Sequence, residues 1–232
     1  MGNVNSKWLN VVFCIDESGS MFFSSDDVVG GFMSTIDEQR KIEDGKVTVS
    51  LFTFNNTVKE IYLMKDISEI NTFSYNPRGT TSMNDGICTS IIKVGERLHE
   101  MDERGDEMPS STMFVIMTDG EENSSVNYNL SDTKRMIKEQ TDKYSWTFVF
   151  QGVDISDTNY ADVMGIKAKT ISKKSELYKN YSIINTSMTE YRTAVNRGES
   201  ITDATLKLNQ TLVSESDKNT EEYLTKPKIN LH

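Results

Sequence analysis

The feature that most constrains this chain is an almost continuous apolar run from Leu9 to Ile15. A run of this kind predicts a strand buried on both faces, as at the centre of a parallel sheet. It ends in a polar loop, Asp16 to Ser20, and apolar residues then recur at helical spacing from Asp26 to Arg40. A strand, a loop and a helix in this order make the first half of a βαβ unit.

Strand and helix patterns continue to alternate along the chain. Two extended runs, 46–54 and 57–64, are separated by Asn55-Asn56, which predicts a hairpin and therefore an antiparallel edge strand. Helical spacing returns at 82–101, 131–144 and 157–164, and strand patterns return at 112–118, 146–150 and 166–171. This alternation predicts an α/β fold, a three-layer, doubly wound, Rossmann-like sheet that is mostly parallel.

The carboxyl-terminal part of the chain has a different pattern. Apolar residues step by four and three from Leu177 to Val195, which predicts a helix with one apolar stripe. We expect that stripe to pack on the domain itself, with a groove on a partner as the alternative. A polar helix is expected from 200 to 212, and residues 213–232 are polar enough to be disordered. The predicted organisation is one domain over 8–174, a helical extension over 175–212 and a disordered tail over 213–232.

Composition and apolar patterning limit the expected class of partner and the expected cellular compartment. The net charge of −10 argues against nucleic acid, because phosphate binding needs clustered Lys and Arg. There is no apolar run of about 18 residues for a membrane span and no secretory signal pattern, so we expect a cytoplasmic protein. Cys14 and Cys88 lie in apolar segments, which is typical of reduced, buried cysteines.

The candidate functional residues lie in loops at the ends of the predicted strands. Asp16, Ser18 and Ser20 alternate along the first loop, Asp119 follows the strand that ends at Thr118, and Thr80 precedes a helix. In an open α/β sheet these loops meet at one edge, where ligands bind. Two carboxylates with several hydroxyls, and no Cys or His, form a hard oxygen site that suits Mg²⁺, Mn²⁺ or Ca²⁺.

The order of these residues resembles a known family. Asp16-Glu17-Ser18-Gly19-Ser20 is similar to the D-x-S-x-S signature of von Willebrand factor A (VWA) domains, Gly79-Thr80 to their Gly-Thr loop, and Thr118-Asp119-Gly120 to their T-D-G segment. The resemblance covers about Trp8 to Ile171 and implies the VWA fold with an intact metal-ion-dependent adhesion site. The segments 75–80 and 117–125 are most similar to intracellular bacterial and phage members, including those linked to tellurite resistance or stress.

The resemblance implies a metal-dependent protein-binding module and not an enzyme. Neutral hydroxyl ligands leave positive charge on the ion, so an open coordination position can accept an Asp or Glu from a partner protein. Two alternatives stay open. One is a Mg²⁺-dependent phosphatase or phosphotransferase with Asp16 as nucleophile, although Ser18 stands where that chemistry usually has a second acid. The other is a structural scaffold that does not use the metal.

Overall fold

The computed structural model describes residues 3–154 and 159–225. Its centre is one six-stranded sheet in the order β3-β2-β1-β4-β5-β6. The strands are β1 (Val4–Asp16), β2 (Lys46–Phe54), β3 (Val58–Asp66), β4 (Met108–Thr118), β5 (Thr147–Val153) and β6 (Ala168–Ser172). Among the strand pairs of the described residues, the edge pair β2–β3 alone is antiparallel, which confirms the predicted hairpin at Asn55-Asn56.

Helices cover both faces of this sheet. They are α1 (Ser25–Arg40), α2 (Met83–Arg104), α3 (Leu130–Tyr144), α4 (Asn159–Met164), α5 (Leu177–Asn196) and α6 (Ile201–Thr225). A short 3₁₀ helix, Gly19–Ser24, joins the first polar loop to α1. The predicted start of α4 at 157–158 lies outside the described residues. None of the helices within the described ranges combines the length and apolar character needed to cross a bilayer.

The side chains of β1 explain the three layers. Successive residues of a strand point to opposite faces. Val11, Phe13 and Ile15 therefore pack in one core with α1, α5 and α6, whereas Val12 and Cys14 pack in the other with α2 and α3. Both faces of β1 are covered, so its apolar run is continuous. The predicted three-layer α/β architecture, doubly wound with one antiparallel edge strand, is confirmed.

The carboxyl-terminal helices belong to the same core. Leu177, Tyr181 and Ile184 of α5 are buried with β1 and α1, so its apolar stripe packs on the domain itself. The contact is close, because a Cβ on Gly31 of α1 would lie 2.2 Å from the Tyr181 ring. Helix α6 continues this packing through Leu212 and the buried Ser216.

The disorder predicted from residue 213 is therefore wrong as far as Thr225, where α6 ends. The apolar stripe of α6 runs through Ala204, Leu208 and Leu212, and a serine occupies its next position. Packing against β6 keeps the polar end of the helix ordered. Residues 226–232 of the predicted tail lie outside the described part of the chain.

The order of the strands determines where loops can meet. Strand β1 lies between β2 and β4, and the chain connects β1 first to β2 on one side and later to β4 on the other. The switch between these directions lies between β1 and β4, where the loops after the two strands diverge. The residues that follow Ile15 and Met117, which are register partners in the sheet, are therefore neighbours at this edge.

Candidate metal site

Asp16 is the last residue of β1, and its carboxylate is fully buried. The backbone N–H of Ser18 donates to Oδ1 at 2.7 Å, and the hydroxyl of Thr118 donates to Oδ2 at 2.6 Å. The first bond closes the polar loop on itself, and the second joins the ends of β1 and β4. Each carboxylate oxygen of Asp16 therefore accepts one of these two hydrogen bonds.

Ser18, Ser20 and Asp119 continue this network across the edge of the sheet. The hydroxyl oxygens of Ser18 and Ser20 are 3.0 Å apart, and Ser20 donates to Oδ1 of Asp119 at 2.6 Å. The side chain of Asp119 is only 1% exposed, whereas Ser20 is exposed. Four of the five predicted site residues therefore form one hydrogen-bonded group drawn from two distant segments.

Thr80 lies on the adjoining loop and is not hydrogen-bonded to the other four in the structure. Its hydroxyl accepts a hydrogen bond from Nδ2 of Asn56 at 2.6 Å. The two loops are nevertheless in contact, because the N–H of Gly19 donates to the carbonyl of Gly79 at 3.2 Å. Gly79 has a φ of 76°, and a Cβ there would lie 1.9 Å from Oδ1 of Asn56, so this position requires glycine.

Asn56 and Lys174 contact the site but are absent from the sequence-based set. The Lys174 ammonium lies 2.7 Å from Oδ2 of Asp119 and donates to the backbone carbonyl of Ser20 at 2.9 Å. Lys174 follows β6, so its place at the carboxyl edge of a parallel sheet was the available signal. Asn56 was interpreted only as a turn residue. Its place in the hairpin next to the edge could have indicated a second role.

The electrostatics of the edge are dominated by buried negative charge. The pKa of Asp16 is raised to about 6, mainly by burial; hydrogen bonds from Thr118 and Ser18 oppose this shift, and the nearby charge of Asp119 adds a smaller increase. A buried carboxylate is destabilised unless donors or cations compensate it. For Asp16 and Asp119 together, the one cationic side chain that the described contacts supply is Lys174.

Glu17 lies in the polar loop between Asp16 and Ser18, and it is buried. Its side chain is 2% exposed and lies 2.6 Å from the Lys59 ammonium. It also accepts hydrogen bonds from the Thr53 hydroxyl at 3.0 Å and from the N–H of Asn76 at 2.8 Å. Glu17 therefore faces away from Asp16 and fastens the Thr80 loop to the sheet.

Asp85 lies in the first turn of α2, and its side chain binds a different segment of the chain. Its carboxylate accepts hydrogen bonds from the backbone N–H groups of Val126, Asn127 and Tyr128, at 3.0, 3.0 and 2.8 Å. Asp85 thereby orders the segment that follows Asp119. Ser82 is the N-cap residue of α2 but makes no side-chain capping bond.

The chemistry of the donors fits a hard cation. Two buried carboxylates and two hydroxyls converge, with a third hydroxyl on the adjoining loop, and all are oxygen donors. Within the described residues, no group of three or more His, Cys, Asp or Glu is placed to hold a metal. A site here would therefore rely on hydroxyls and water beside its two carboxylates, as Mg²⁺, Mn²⁺ and Ca²⁺ sites do.

A sequence comparison places this geometry in a family. The family model for the von Willebrand factor type A domain matches residues 10–182, which is well over half of the chain. The chain belongs to the VWA family. The matched span begins within β1, includes the other five strands and ends in the first turns of α5, so the family region reaches beyond the predicted boundary at residue 174.

Solved structures of other proteins share the fold at low sequence identity. The PilB minor pilin from Streptococcus sanguinis is 14% identical with a TM-score of 0.55, and the match covers 78% of this chain and 61% of that chain. Proximal thread matrix protein 1 from the mussel byssus, with a zinc-occupied MIDAS motif, is 16% identical with a TM-score of 0.53 and coverages of 79% and 45%. The VWA domain of the pilus tip protein Mfa5 from Porphyromonas gingivalis is 12% identical with a TM-score of 0.51 and coverages of 78% and 95%.

These similarities establish the fold and no more. The chain spans about half of the length of the first structures that it matches, at 45% and 61%. No curated protein matches the VWA chain in the sequence comparison.

Proposed function

We propose that this VWA chain is a divalent-cation-dependent protein-binding module. In this proposal Ser18, Ser20 and Thr80 bind the cation directly or through water, and Asp16 and Asp119 supply the balancing negative charge. The observation that carries the proposal is the continuous hydrogen-bonded group from Asp16 to Asp119, which is built from two segments about a hundred residues apart in the chain. Mg²⁺ is the favoured ion, with Mn²⁺ and Ca²⁺ as the alternatives.

The partner completes the site in this proposal. Neutral hydroxyl ligands leave net positive charge on a divalent ion, and an Asp or Glu side chain from another protein can neutralise it. Ser20 and Thr80 are exposed, so an incoming carboxylate has access to the edge. The chain's own residues position the ion and present it, which is a binding role and not a catalytic one.

The cellular setting is also a proposal. The sequence segments around Asp119 and Thr80 favour a cytoplasmic bacterial or phage protein, with a role in stress response or phage biology. Nucleic acid is disfavoured as a partner by the net charge of −10.

Calorimetric titration with Mg²⁺ and Mn²⁺ tests the metal part of the proposal. We expect Asp119→Asn to weaken binding by about 100-fold or more, because it removes one of only two anionic groups at the site. Glu121→Gln is the matched control, since Glu121 is an exposed carboxylate two residues away, and its affinity should stay within about twofold of wild type. Equal affinities for the two variants would refute the metal site.

Capture of partners from the source organism tests the binding part. Wild-type protein in Mg²⁺ should retain a partner that is released by a chelator and is not retained by Asp119→Asn. A partner retained equally in chelator would point to the metal-independent scaffold. Turnover of a generic phosphate ester that disappears in Asp16→Asn would replace the binding role with an enzymatic one.

A further inference from the structure

Two exposed phenylalanines directly follow the metal loop. Phe22 is 61% exposed and Phe23 is 90% exposed, and their rings meet edge to face with centroids 5.4 Å apart. They lie in the short 3₁₀ helix that begins one residue before Ser20. Aromatic side chains of this size are usually buried, and adjacent exposed apolar groups mark surfaces that bind another molecule.

The neighbouring residues hold these two rings outward. Met21 and Ser24, on either side of the pair, are fully buried, and Met21 belongs to the core formed with β1 and α1. The 3₁₀ turn is therefore anchored at both ends. The aromatic pair cannot turn inward without displacing Met21 from the core, so its exposure is a consequence of the local register.

Acidic residues lie on the other side of the aromatic pair. Asp26 and Asp27 are exposed in the first turn of α1. They line a groove of about 450 Å³ between α1 and α5, together with Ser175 and Tyr178. No Lys or Arg is among the described side chains that line this groove. Its electrostatic character is negative, which favours cationic groups on whatever it binds.

We propose that the partner presents a protein segment in which one Asp or Glu has a bulky apolar residue close to it, with Lys or Arg beyond that residue. This rests on the proposed function, because the acidic residue is the one that completes the metal shell. The apolar residue contacts Phe22 and Phe23, and the basic residues face Asp26 and Asp27. Aromatic anchors of this kind commonly contribute most of the affinity of an interface.

A membrane surface is the other apolar occupant to consider. The two carboxylates that follow Phe23, and the net charge of −10, would be repelled by anionic lipid headgroups. A protein segment that combines opposite charges with an apolar side chain matches all three features of this surface. The surface therefore favours a peptide over a bilayer.

Selection from a random-peptide phage library tests the proposal. The wild-type protein is panned in Mg²⁺ with elution by chelator, and the enriched sequences are synthesised and titrated. We expect an Asp or Glu in the enriched peptides, with a bulky apolar residue close to it and an excess of Lys and Arg beyond. Phe22→Ser with Phe23→Ser should weaken the best peptide by about tenfold or more.

The control variant is Leu206→Ser, since Leu206 is a large apolar residue on α6 whose exposure, 55%, is close to the 61% of Phe22. It should bind the peptide as wild type does. Mn²⁺ affinity should be the same in the wild type, the double variant and the control, which shows that the double variant folds with its metal loop intact.

Each outcome decides between the proposals. Acidic peptides without an apolar neighbour, or peptides that bind the double variant as tightly as wild type, overturn this inference and leave the proposed function standing. Peptides without an acidic residue overturn the proposed function itself. The inference is also overturned if the protein binds Mn²⁺ normally but selects no peptide that chelator releases. It is overturned as well if the wild-type protein sediments with vesicles of phosphatidylcholine and phosphatidylserine and the double variant does not.

Discussion

Two buried polar clusters of this VWA domain differ in how their charge is compensated. At one, the guanidinium of Arg192 on α5 is 3% exposed and donates to the carbonyl of Gln39 at 2.6 Å and to that of Ile42 at 2.7 Å. It also donates to the carbonyl of Asp44 at 3.1 Å. These carbonyls lie at and just beyond the end of α1, where the helix dipole favours a cation.

At the candidate metal site, charge is compensated in the opposite way. The site contains two carboxylates, Asp16 and Asp119, which repel each other, and it opens to solvent at Ser20. In the Arg192 cluster, by contrast, a single charge is held by three backbone carbonyls and by Oε1 of Gln39. The Arg192 charge is compensated within the fold, whereas the paired carboxylates leave negative charge that a cation could compensate, as the proposed function requires.

Replacing Arg192 should give the largest effect on stability. Arg192→Ala leaves several buried carbonyls without a donor and opens space between α1 and α5, so we expect the free energy of unfolding to fall by about 3 to 5 kcal/mol. Urea denaturation measures this change. Arg197→Ala, an exposed arginine at the end of α5, should change it by less than about 0.5 kcal/mol. Similar losses of unfolding free energy in the two variants would show that the Arg192 cluster has no special role in stability.

Neutralising Asp16 should have a smaller effect of the opposite sign. The pKa of Asp16 is about 6 in the folded chain and ordinarily 3.8, so its ionisation opposes folding and stability is lost as the pH rises through about 6. In chelator near pH 8 we therefore expect Asp16→Asn to raise the free energy of unfolding by about 1 to 2 kcal/mol, less than the full shift because the Thr118 hydrogen bond changes.

The pH dependence separates this explanation from a packing effect. The gain should shrink towards pH 4, where the wild-type carboxyl is protonated in the folded chain. Urea denaturation at both pH values measures it. A loss of stability at pH 8, or a gain of equal size at pH 4, would contradict the idea that the edge carries uncompensated charge.

The sequence predicts the sheet and most of the site for one physical reason. Parallel strands with both faces covered must be continuously apolar, so Leu9 to Ile15 could be recognised, and the loops after such strands must meet at one edge. The positions of Asp16 and Asp119 follow from that rule alone. The hairpin at Asn55-Asn56 could also be predicted, because the residue preferences of a tight turn depend on local sequence.

The contacts that sequence reasoning missed depend on packing between distant segments. The ion pair of Glu17 with Lys59 depends on which way a loop residue turns after β1, and periodicity does not determine that direction. Helix α6 was underestimated because Ser216, a polar residue, occupies a core position in its stripe. Lys174 follows β6, which is separated from β4 by β5, so its contact with Asp119 depends on the path that the chain takes after β6.

Removing the charge of Lys174 should give the smallest free-energy change of these variants. It also tests most directly the contrast between the candidate metal site and the Arg192 cluster. Its ammonium and a divalent ion attract the same carboxylate, Asp119, so Lys174→Met should tighten Mn²⁺ binding by about threefold to tenfold. The range is modest because Lys174 is 31% exposed and solvent screens the pair. Lys173→Met removes one positive charge at the adjacent position, and calorimetry should find its Mn²⁺ affinity within about twofold of wild type. Weaker binding in Lys174→Met than in Lys173→Met would mean that Lys174 supports the ion, for example by orienting Asp119, and that the edge is compensated from within as the Arg192 cluster is.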